Sequence, residues 1–366
     1  MLIPPAERLA SRLSYNVGAM TFDPNSAASS DAGIFGLPYK EEDAALVYLP
    51  VPWEATTSYG GGTSKGPAAI LEASAQIDLF DFDVNKPYEA GFFMRPESAQ
   101  VRAWNKTAKA AAQKIIKAGG DAGKNKALLA ALKTVNQHSD KLNEWVYDQA
   151  SEIMEAGKIV GLIGGDHSTP YGAMKAAAER HPGLGILHFD AHHDLRVAYE
   201  GFVHSHASIF YNVLNDLEGV SKLVQVGIRD FCEQEFDYAK GQGQRVKVYY
   251  DGDLTRRKFS GQAWTYLCNE IVEHLPEQVW VSFDIDGLDP RFCPNTGTPV
   301  PGGLDFKEAG FLLGTLVRSG RSIVGFDLNE VSPGADGSEW DANVGMRLLY
   351  KMSAWTVASQ EKAKLR

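Results

Sequence analysis

The chain contains one short run of alternating acids and a histidine that could bind a metal ion. Asp190, His192 and Asp194 form an Asp-x-His-x-Asp pattern directly after the apolar run 184–189. In a β-strand, residues two apart point to the same side, so these three side chains can converge on one point. Carboxylate oxygens and imidazole nitrogens are ligands for Mn²⁺, Fe²⁺, Ni²⁺ and Zn²⁺. The run predicts a metal site at a strand end, although a polar turn can have the same composition.

Three other apolar runs end in the same kinds of residue. Acids or a histidine follow each of them at once: Asp166 and His167 after 159–163, Asp284 and Asp286 after 279–283, and Glu330 after 323–328. These runs alternate with stretches of helical pattern, as do the apolar runs 44–51, 222–228 and 246–250. Strands separated by helices predict an α/β fold with a parallel sheet covered on both faces. In such sheets ligands bind at the carboxyl ends of the strands, where these residues would lie.

The number of candidate ligands favours two metal ions over one. The set consists of four carboxylates and two imidazoles: His167, Asp190, His192, Asp194, Asp284 and Asp286. Four negative charges at close range repel one another strongly, and two divalent cations would neutralise them. Two-metal sites activate water near neutral pH. Carboxylate-rich ligation favours Mn²⁺, with Ni²⁺ as the alternative because it binds such sites more tightly. The resulting charge suits a cationic substrate, with which Glu330 could pair.

Composition limits the functional classes. Of the 366 residues 44% are hydrophobic and 22% are charged, which is ordinary for a globular protein with a sizeable core. The formal net charge of −10 argues against a nucleic-acid or membrane-surface partner. No apolar run is long enough to span a membrane, and the start lacks a signal-peptide pattern. The three cysteines form no C-x-x-C motif, so we expect free thiols and a cytoplasmic protein.

The domain organisation predicted is a single catalytic domain with two additions. Residues 1–43 are rich in Ser, Asp, Gly and Pro and are interpreted as an N-terminal arm with at most a short helix. The catalytic domain is expected over 44–356. Within it, about 104–135 forms an Ala/Lys-rich helical insert, broken at Gly119-Gly120, whose lysines most simply form a solvated face. A separate helix is expected over about 139–157.

Three sequence blocks resemble the signature blocks of the ureohydrolases, the family that includes arginase and agmatinase. The blocks are Gly-Gly-Asp-His-Ser at 164–168, Asp-Ala-His-x-Asp at 190–194 and Ser-Phe-Asp-Ile-Asp-Gly-Leu-Asp-Pro at 282–290. The resemblance covers roughly 44–350 and is closest to agmatinase-like members. It implies a three-layer α/β/α fold with a mostly parallel eight-stranded sheet. The implied reaction is hydrolysis at a guanidino or formimino carbon, which releases urea or formamide together with an amine.

The resemblance also implies roles for individual residues. One metal would be held by His167, Asp190, Asp194 and Asp284, and the other by Asp190, His192, Asp284 and Asp286, so that Asp190 and Asp284 bridge. Glu330 resembles the glutamate that binds the guanidinium group. His206 resembles a proton-shuttle histidine, although His204 lies two residues earlier and could take that role. Asp194 is counted with His206 and Glu330 as catalytic, and Asp166 is expected to orient His167.

The identity of the substrate is open at this stage. Asp194-Leu195-Arg196 resembles formimidoylglutamase, in which case Arg196 would bind a substrate carboxylate. The Ser-His-x-Ser block and the loop around Trp53 resemble agmatinase-like members instead, and Trp53 could face a cation. Agmatine is the first candidate, a small guanidino compound such as guanidine the second and formimidoylglutamate the third. His204, Arg196, Trp53 and Glu330 are the predicted substrate contacts.

Alternatives to this enzyme class are a non-catalytic metal-binding protein that kept the fold and a one-zinc deacetylase. The doubled Asp-x-Asp pattern at 284–286 and the filled ligand positions favour the two-metal hydrolase. The family resemblance further implies a homo-oligomer, a trimer or a hexamer. The N-terminal arm and the insert could restrict access to the pocket.

Overall fold

Eight parallel strands form the central sheet of the protein, whose computed structural model describes residues 22–29 and 32–366. The strands of the described residues are β1 (Leu46–Val51), β2 (Val84–Asn85), β3 (Phe92–Met94), β4 (Ile159–Gly164), β5 (Leu184–Phe189), β6 (Val220–Ile228), β7 (Val246–Tyr250), β8 (Gln278–Asp284), β9 (Ser322–Asn329) and β10 (Lys364–Leu365). The sheet has the order β3-β1-β4-β9-β8-β5-β6-β7. β2 and β10 pair separately as a small antiparallel ladder.

The sheet lies between two layers of helices, as an α/β sequence pattern predicts. The helices are α1 (Gly66–Ser74), α2 (Ala99–Ile116), α3 (Lys126–Glu155), α4 (Tyr171–Arg180), α5 (Ile209–Asp216), α6 (Glu233–Gly241), α7 (Asp251–Phe259), α8 (Trp264–Glu273), α9 (Phe306–Arg318) and α10 (Trp340–Ser359). No helix of the described residues has the length and apolar character needed to cross a bilayer.

Side chains that alternate in direction along each strand divide the hydrophobic core into two halves, one on each face of the sheet. In β1, Leu46 and Tyr48 pack with α1 and α8 to α10, whereas Val47 and Leu49 pack with α3 to α5. Successive side chains of a strand point to opposite faces, and a strand buried on both faces is apolar throughout. The three-layer α/β/α fold with an eight-stranded parallel sheet is therefore confirmed.

The predicted strands are confirmed with small shifts of their ends, and β3 is an addition that the sequence did not indicate. The insert is a helical hairpin of α2 and α3 with its break at residues 117–125. The helix expected over 139–157 is confirmed as far as residue 155, but it is not separate from the insert, because α3 runs without interruption from Lys126 to Glu155.

Part of the predicted N-terminal arm packs into the core. Residues 1–21 and 30–31 lie outside the described residues. Ile34, Phe35 and Leu37 are buried, and the ring of Phe35 lies 5.1 Å from the ring of Tyr350 in α10. This contact attaches the last part of the arm to the layer formed by α1 and α10.

Candidate metal centre and substrate pocket

The candidate ligands are carried by neighbouring strands at one edge of the sheet. β4, β9, β8 and β5 are adjacent in that order. His167 follows β4, Glu330 follows β9, Asp284 ends β8 and Asp190 follows β5. Because the strands are parallel, all four carboxyl ends reach the same edge, and short polar loops there bring distant parts of the chain together.

His167 lies at the centre of three carboxylates. Its Nδ1 atom is 3.1 Å from Oδ2 of Asp190, 3.3 Å from Oδ2 of Asp194 and 3.3 Å from Oδ2 of Asp284. All four side chains are buried. They form the first of the two ligand sets expected from the sequence.

His192 lies at the centre of a second, adjacent group. Its Nδ1 atom is 3.3 Å from Oδ1 of Asp190 and 3.2 Å from Oδ2 of Asp286. Asp190 therefore directs one carboxylate oxygen to each group, which is the arrangement a bridging ligand requires. Asp284 contacts the first group directly, and its Oδ1 accepts a hydrogen bond from the amide of Asp286 at 2.9 Å.

The charges of this cluster are poorly balanced by protein groups alone. Burial, followed by the charge of Asp190, raises the pKa of Asp194 to about 7, and burial with Asp286 and Asp190 raises the pKa of Asp284. Burial opposes charge on His192, but Asp286 and Asp190 outweigh it and raise its pKa to about 12. The raised pKa values of these buried acids show that the protein supplies too little positive charge, which divalent cations would provide. The donor set of carboxylates and imidazoles fits Mn²⁺ or Ni²⁺.

Ser282, not Asp166, is the partner that orients His167. The Oγ atom of Ser282 lies 2.9 Å from Nε2 of His167 and donates to Oδ2 of Asp327 at 2.7 Å. The expected contact of Asp166 with His167 is wrong, because its carboxylate accepts hydrogen bonds from Ser168 and Thr56. Ser282 stands two residues before Asp284, so strand alternation was the available signal for it.

Glu330 presents an unpaired buried oxygen next to the metal ligands. Its Oε1 atom accepts a hydrogen bond from the amide of His167 at 3.1 Å, whereas Oε2 is buried without a partner. Burial and the charges of Asp284 and Asp166 raise the pKa of Glu330 well above its usual value. The backbone of Glu330 is left-handed at φ 61°, as is that of Asp194 at φ 54°. Such conformations cost energy and often occur at functional sites.

A pocket of about 180 Å³ opens onto this cluster. Its floor includes His167, His192, Asp194, Asp284 and Glu330. The remaining lining residues are called its wall: Ser58, Arg196, Tyr199, His206, Ala207, Phe231, Glu235 and Thr298, with the solvent-exposed Asp230 at its mouth. Glu330 and four of the candidate metal ligands therefore line a space of small-molecule size.

Comparison with known proteins agrees with this architecture. A sequence model described as the Arginase family matches residues 44–354. The chain belongs to the arginase family. It is 32% identical over 293 residues to N(1)-aminopropylagmatine ureohydrolase of Thermus thermophilus, covering 80% of this chain and 84% of that protein. It is 30% identical to agmatinase of Bacillus subtilis, covering 86% of this chain and 92% of that protein.

The fold agrees with a solved member of the family as well. The agmatine ureohydrolase of Thermoplasma volcanium superposes with a TM-score of 0.66 at 23% identity, covering 88% of this chain and 92% of that one. Its family membership and its similarity to proteins named as ureohydrolases make this arginase-family protein a metal-dependent hydrolase of the ureohydrolase type. The sequence blocks at 164–168, 190–194 and 282–290 that carried the resemblance are those that the structure brings together.

His206 lines the pocket of this arginase-family protein, whereas His204 does not. Burial, followed by the charge of His192, lowers the pKa of His206 to about 4, so its imidazole is neutral at pH 7. Nε2 of His204 lies 3.5 Å from Oδ1 of Asp140, and its ring lies 5.1 Å from that of Tyr171. The prediction of His204 as a substrate contact is therefore corrected. Residues 206–208 form a short 3₁₀-helix, which turns the two histidines to different sides.

Of two further predicted substrate contacts, Arg196 and Trp53, only Arg196 lines the pocket. Arg196 lines the pocket, and its guanidinium lies 4.9 Å from the ring of Tyr199. Trp53 is fully buried in the core and lines no part of the pocket, so its prediction as a substrate contact is corrected. The backbone oxygen of Trp53 accepts a hydrogen bond from Asp166, which ties the end of β1 to the end of β4.

Sequence reasoning missed several residues that shape the site. Tyr199 and Phe231 lie in the pocket wall, and no motif pointed to them. His188 is fully buried beside Asp190 and lies close enough to join a metal-binding group with His167. Its position two residues before Asp190 in β5 was a signal, because both side chains then point to the same side.

Proposed function

We propose that this protein hydrolyses a guanidino C–N bond of a small cationic substrate and releases urea and an amine. The observation that carries the proposal is the unpaired Oε2 of Glu330, which is buried at the floor of the pocket beside the candidate metal ligands. A buried carboxyl oxygen without a hydrogen-bond partner is costly unless a ligand supplies a donor. A guanidinium group offers a planar set of N–H donors that matches a carboxylate, so it satisfies this oxygen and neutralises part of the charge.

In this proposal the six candidate ligands would hold two divalent cations, and Asp190 and Asp284 would be ligands of both. When bound, such ions supply an activated water near neutral pH and stabilise developing negative charge. The residues of the chain do the remaining work. Glu330 holds the guanidinium so that its carbon faces the metal ligands, and Asp194 lies beside it in the same floor.

His206 is proposed to transfer the proton in this reaction. The oxygen of a water molecule bonds to the guanidino carbon, the C–N bond to the amine breaks, and the proton that the water gives up is transferred to the departing amine. The imidazole of His206 lines the pocket and is neutral at pH 7, so it can accept a proton and return it. Thr56 accepts a hydrogen bond from the amide of His206 at 3.1 Å, which fixes the position of the histidine.

Agmatine is the first substrate that we propose. The support is membership of the family, the similarity to proteins named agmatinase and N(1)-aminopropylagmatine ureohydrolase, and the anionic pocket. Asp230 at the pocket mouth could pair with the distal ammonium group. Guanidine remains the second proposed substrate and formimidoylglutamate the third.

One observation favours a second candidate, a guanidino acid. The guanidinium of Arg196 stacks on Tyr199 in the pocket wall, and Nε lies 3.5 Å from Oε2 of Glu235, too far for a strong hydrogen bond. Glu235 already accepts hydrogen bonds from the amides of Leu195 and Cys232. The terminal nitrogens of Arg196 could therefore bind a carboxylate at the far end of a substrate such as 4-guanidinobutyrate.

The remaining proposals concern the metal and the state of the protein. Mn²⁺ is the first choice and Ni²⁺ the second, on the ligand chemistry given above. Cytoplasmic location is supported by three unpaired cysteines, two of them buried. A trimer or hexamer is supported by family membership alone, and light scattering would measure it. The arm at 1–43 and the hairpin remain proposed additions to one catalytic domain.

The experiment that tests the function is urea release by protein loaded separately with Mn²⁺ or Ni²⁺. Agmatine, N(1)-aminopropylagmatine, 4-guanidinobutyrate and guanidine are offered in parallel, and formamide release from formimidoylglutamate is measured beside them. Glu330→Gln should lower kcat/KM at least about 100-fold, because it removes the charge that pairs with the guanidinium. Metal content should stay at the wild-type value. The exposed Glu339→Gln is the matched control and should keep full activity. Equal activity of Glu330→Gln and the wild type would contradict the proposal.

A further inference from the structure

A chain of hydrogen bonds leads from the shared ligand Asp190 into the sheet. Nε2 of His188 lies 2.8 Å from Oδ2 of Asp190, and Nδ1 of His188 lies 2.9 Å from the amide nitrogen of Gln225. His188 and Gln225 are register partners on β5 and β6, and both are fully buried. The amide oxygen of Gln225 lies 2.7 Å from Nδ1 of His193, and the hydroxyl of Tyr250 lies 3.4 Å from Nε2 of that ring.

The direction of each hydrogen bond in this chain follows from the chemistry of the groups. The amide nitrogen of Gln225 also donates to the backbone oxygen of His193 at 2.9 Å, and a backbone oxygen can only accept. Turning the amide over would place two acceptors against each other. The nitrogen of Gln225 therefore faces His188 and donates to its Nδ1, which must carry a lone pair.

As a consequence, Asp190 receives a hydrogen bond from one fixed donor, the Nε2–H group of His188. A neutral imidazole that accepts at Nδ1 carries its proton on Nε2, so His188 donates to Oδ2 of Asp190. The same Nε2 has no lone pair left for a metal ion. His188 is close enough to belong to a metal-binding group, yet the hydrogen bond from Gln225 makes it a donor to a ligand.

We infer that Gln225 is a positioning residue of the metal centre. It fixes the tautomer of His188, and through His188 it holds the carboxylate of Asp190 in the orientation that serves both ligand groups. It also fixes the tautomer of His193, the residue between the ligands His192 and Asp194. The inference rests on the metal centre proposed above, but none of its tests requires a substrate.

The first test is the tautomer of His188 in the full-length, metal-free protein. Two-bond ¹H–¹⁵N correlation spectra distinguish imidazoles protonated on Nδ1 from those protonated on Nε2, and His188→Gln identifies the signals. We expect the Nε2–H form in the wild type. Gln225→Glu keeps the size of the side chain but removes the donor, so His188 should then carry a proton on Nδ1. An Nδ1–H form in the wild type, or no change in Gln225→Glu, would overturn the inference.

The second test is the affinity for Mn²⁺, measured by competition with a chelator. Gln225→Met should weaken Mn²⁺ binding about 10- to 100-fold, the usual effect of losing a partner of a ligand. Tyr250→Phe is the matched control, because it shortens the chain at its far end and leaves the bonds of Gln225 intact. We expect wild-type affinity for this control. Equal losses in both variants would overturn the inference.

Unfolding of the metal-free proteins in urea distinguishes a positioning role of Gln225 from a purely structural one. If Gln225→Met lowers the free energy of unfolding but keeps the wild-type dissociation constant for Mn²⁺, the inference is wrong. If the wild type binds no Mn²⁺ or Ni²⁺, the proposed metal centre fails, whereas the tautomer spectra still report on Gln225. If metal binds and no urea is released, only the proposed substrate fails.

Discussion

Nε2 of His167 lies 2.9 Å from Oγ of Ser282, so a serine from β8 holds the imidazole that follows β4. The hydroxyl of Ser282 donates to Asp327, and it therefore accepts from Nε2 of His167. In the neutral ring this leaves the lone pair on Nδ1, the atom that faces Asp190, Asp194 and Asp284. The buried carboxylate of Asp327 thus acts on the metal centre through two hydrogen bonds.

Ser282→Ala is expected to weaken Mn²⁺ binding about 10- to 100-fold, because His167 loses the acceptor that sets its tautomer and ring orientation. Chelator competition measures the dissociation constant. Ser353→Ala is the control for the loss of a buried hydroxyl, because this serine of α10 contacts Tyr48 and the backbone of Leu349 and none of the candidate ligands. Wild-type affinity in Ser282→Ala would show that the ring is held by packing alone.

Lys109 connects the helical hairpin to the loop beside the pocket, and its loss should destabilise the protein. It pairs with Glu54, which also accepts hydrogen bonds from the amides of Gly62 and Ser64. Lys109→Met leaves the buried carboxylate of Glu54 without its cation, so the free energy of unfolding should fall by about 2 kcal/mol at pH 7. Urea unfolding of the metal-free protein measures this difference.

The effect of Lys109→Met should depend on pH in a defined direction. Burial alone would raise the pKa of Glu54, but Lys109 and the amide donors outweigh it and lower the pKa below its usual 4.5. A lowered pKa stabilises the fold above the unfolded value, and that contribution disappears as the pH falls through the folded value. The two proteins should therefore converge in acid. A difference that grows as the pH falls below 4.5 would contradict this assignment.

The grouping of the candidate metal ligands could be predicted from the sequence because strand alternation and strand ends are local features. His167, Asp190 and Asp284 each follow an apolar run, and parallel pairing then brings them to one edge of the sheet. The resemblance to a family supplied their roles. Glu330 was predicted in the same way, but its unpaired oxygen depends on contacts with His167 and could be seen only in the structure.

The errors arose where tertiary contacts decide the direction of a side chain. His204 and His206 are two residues apart, yet the segment is not a strand and the histidines face different cavities. Trp53 follows β1 and was therefore expected in an exposed loop, but its ring is packed in the hydrophobic core. The strand β3 has only three residues, too few for a period to be detected.

Gly165 is a position at which a single methyl group should disturb the metal centre. A Cβ atom there would lie 1.7 Å from the backbone oxygen of Trp53, which cannot move aside without shifting the end of β1. Gly165→Ala should lower the free energy of unfolding by about 1–3 kcal/mol, as overpacking does, and should weaken Mn²⁺ binding because His167 follows two residues later.

Gly241→Ala is the matched control for Gly165→Ala. No atom lies within 4 Å of the position where its Cβ would be, and it ends helix α6 without a positive φ. Its effect on stability should be neutral or favourable by up to about 1 kcal/mol. Thermal unfolding and chelator competition on both variants measure the contrast. Normal Mn²⁺ affinity in Gly165→Ala would mean that the end of β4 tolerates displacement.

Arg196 should decide between the two substrate classes, because its charge lies in the pocket wall. Arg196→Met removes a cation that repels the ammonium end of agmatine and attracts the carboxylate of 4-guanidinobutyrate. KM for 4-guanidinobutyrate should rise about 10-fold or more, the value of a charged hydrogen bond, while KM for agmatine should stay the same or fall. kcat should change little for either substrate, since in the proposed binding mode Arg196 faces the distal end of the substrate and not the guanidino carbon. Arg256→Met, which alters an exposed arginine, is the control. A parallel rise of KM for both substrates would instead assign Arg196 to the stability of the pocket wall through Tyr199.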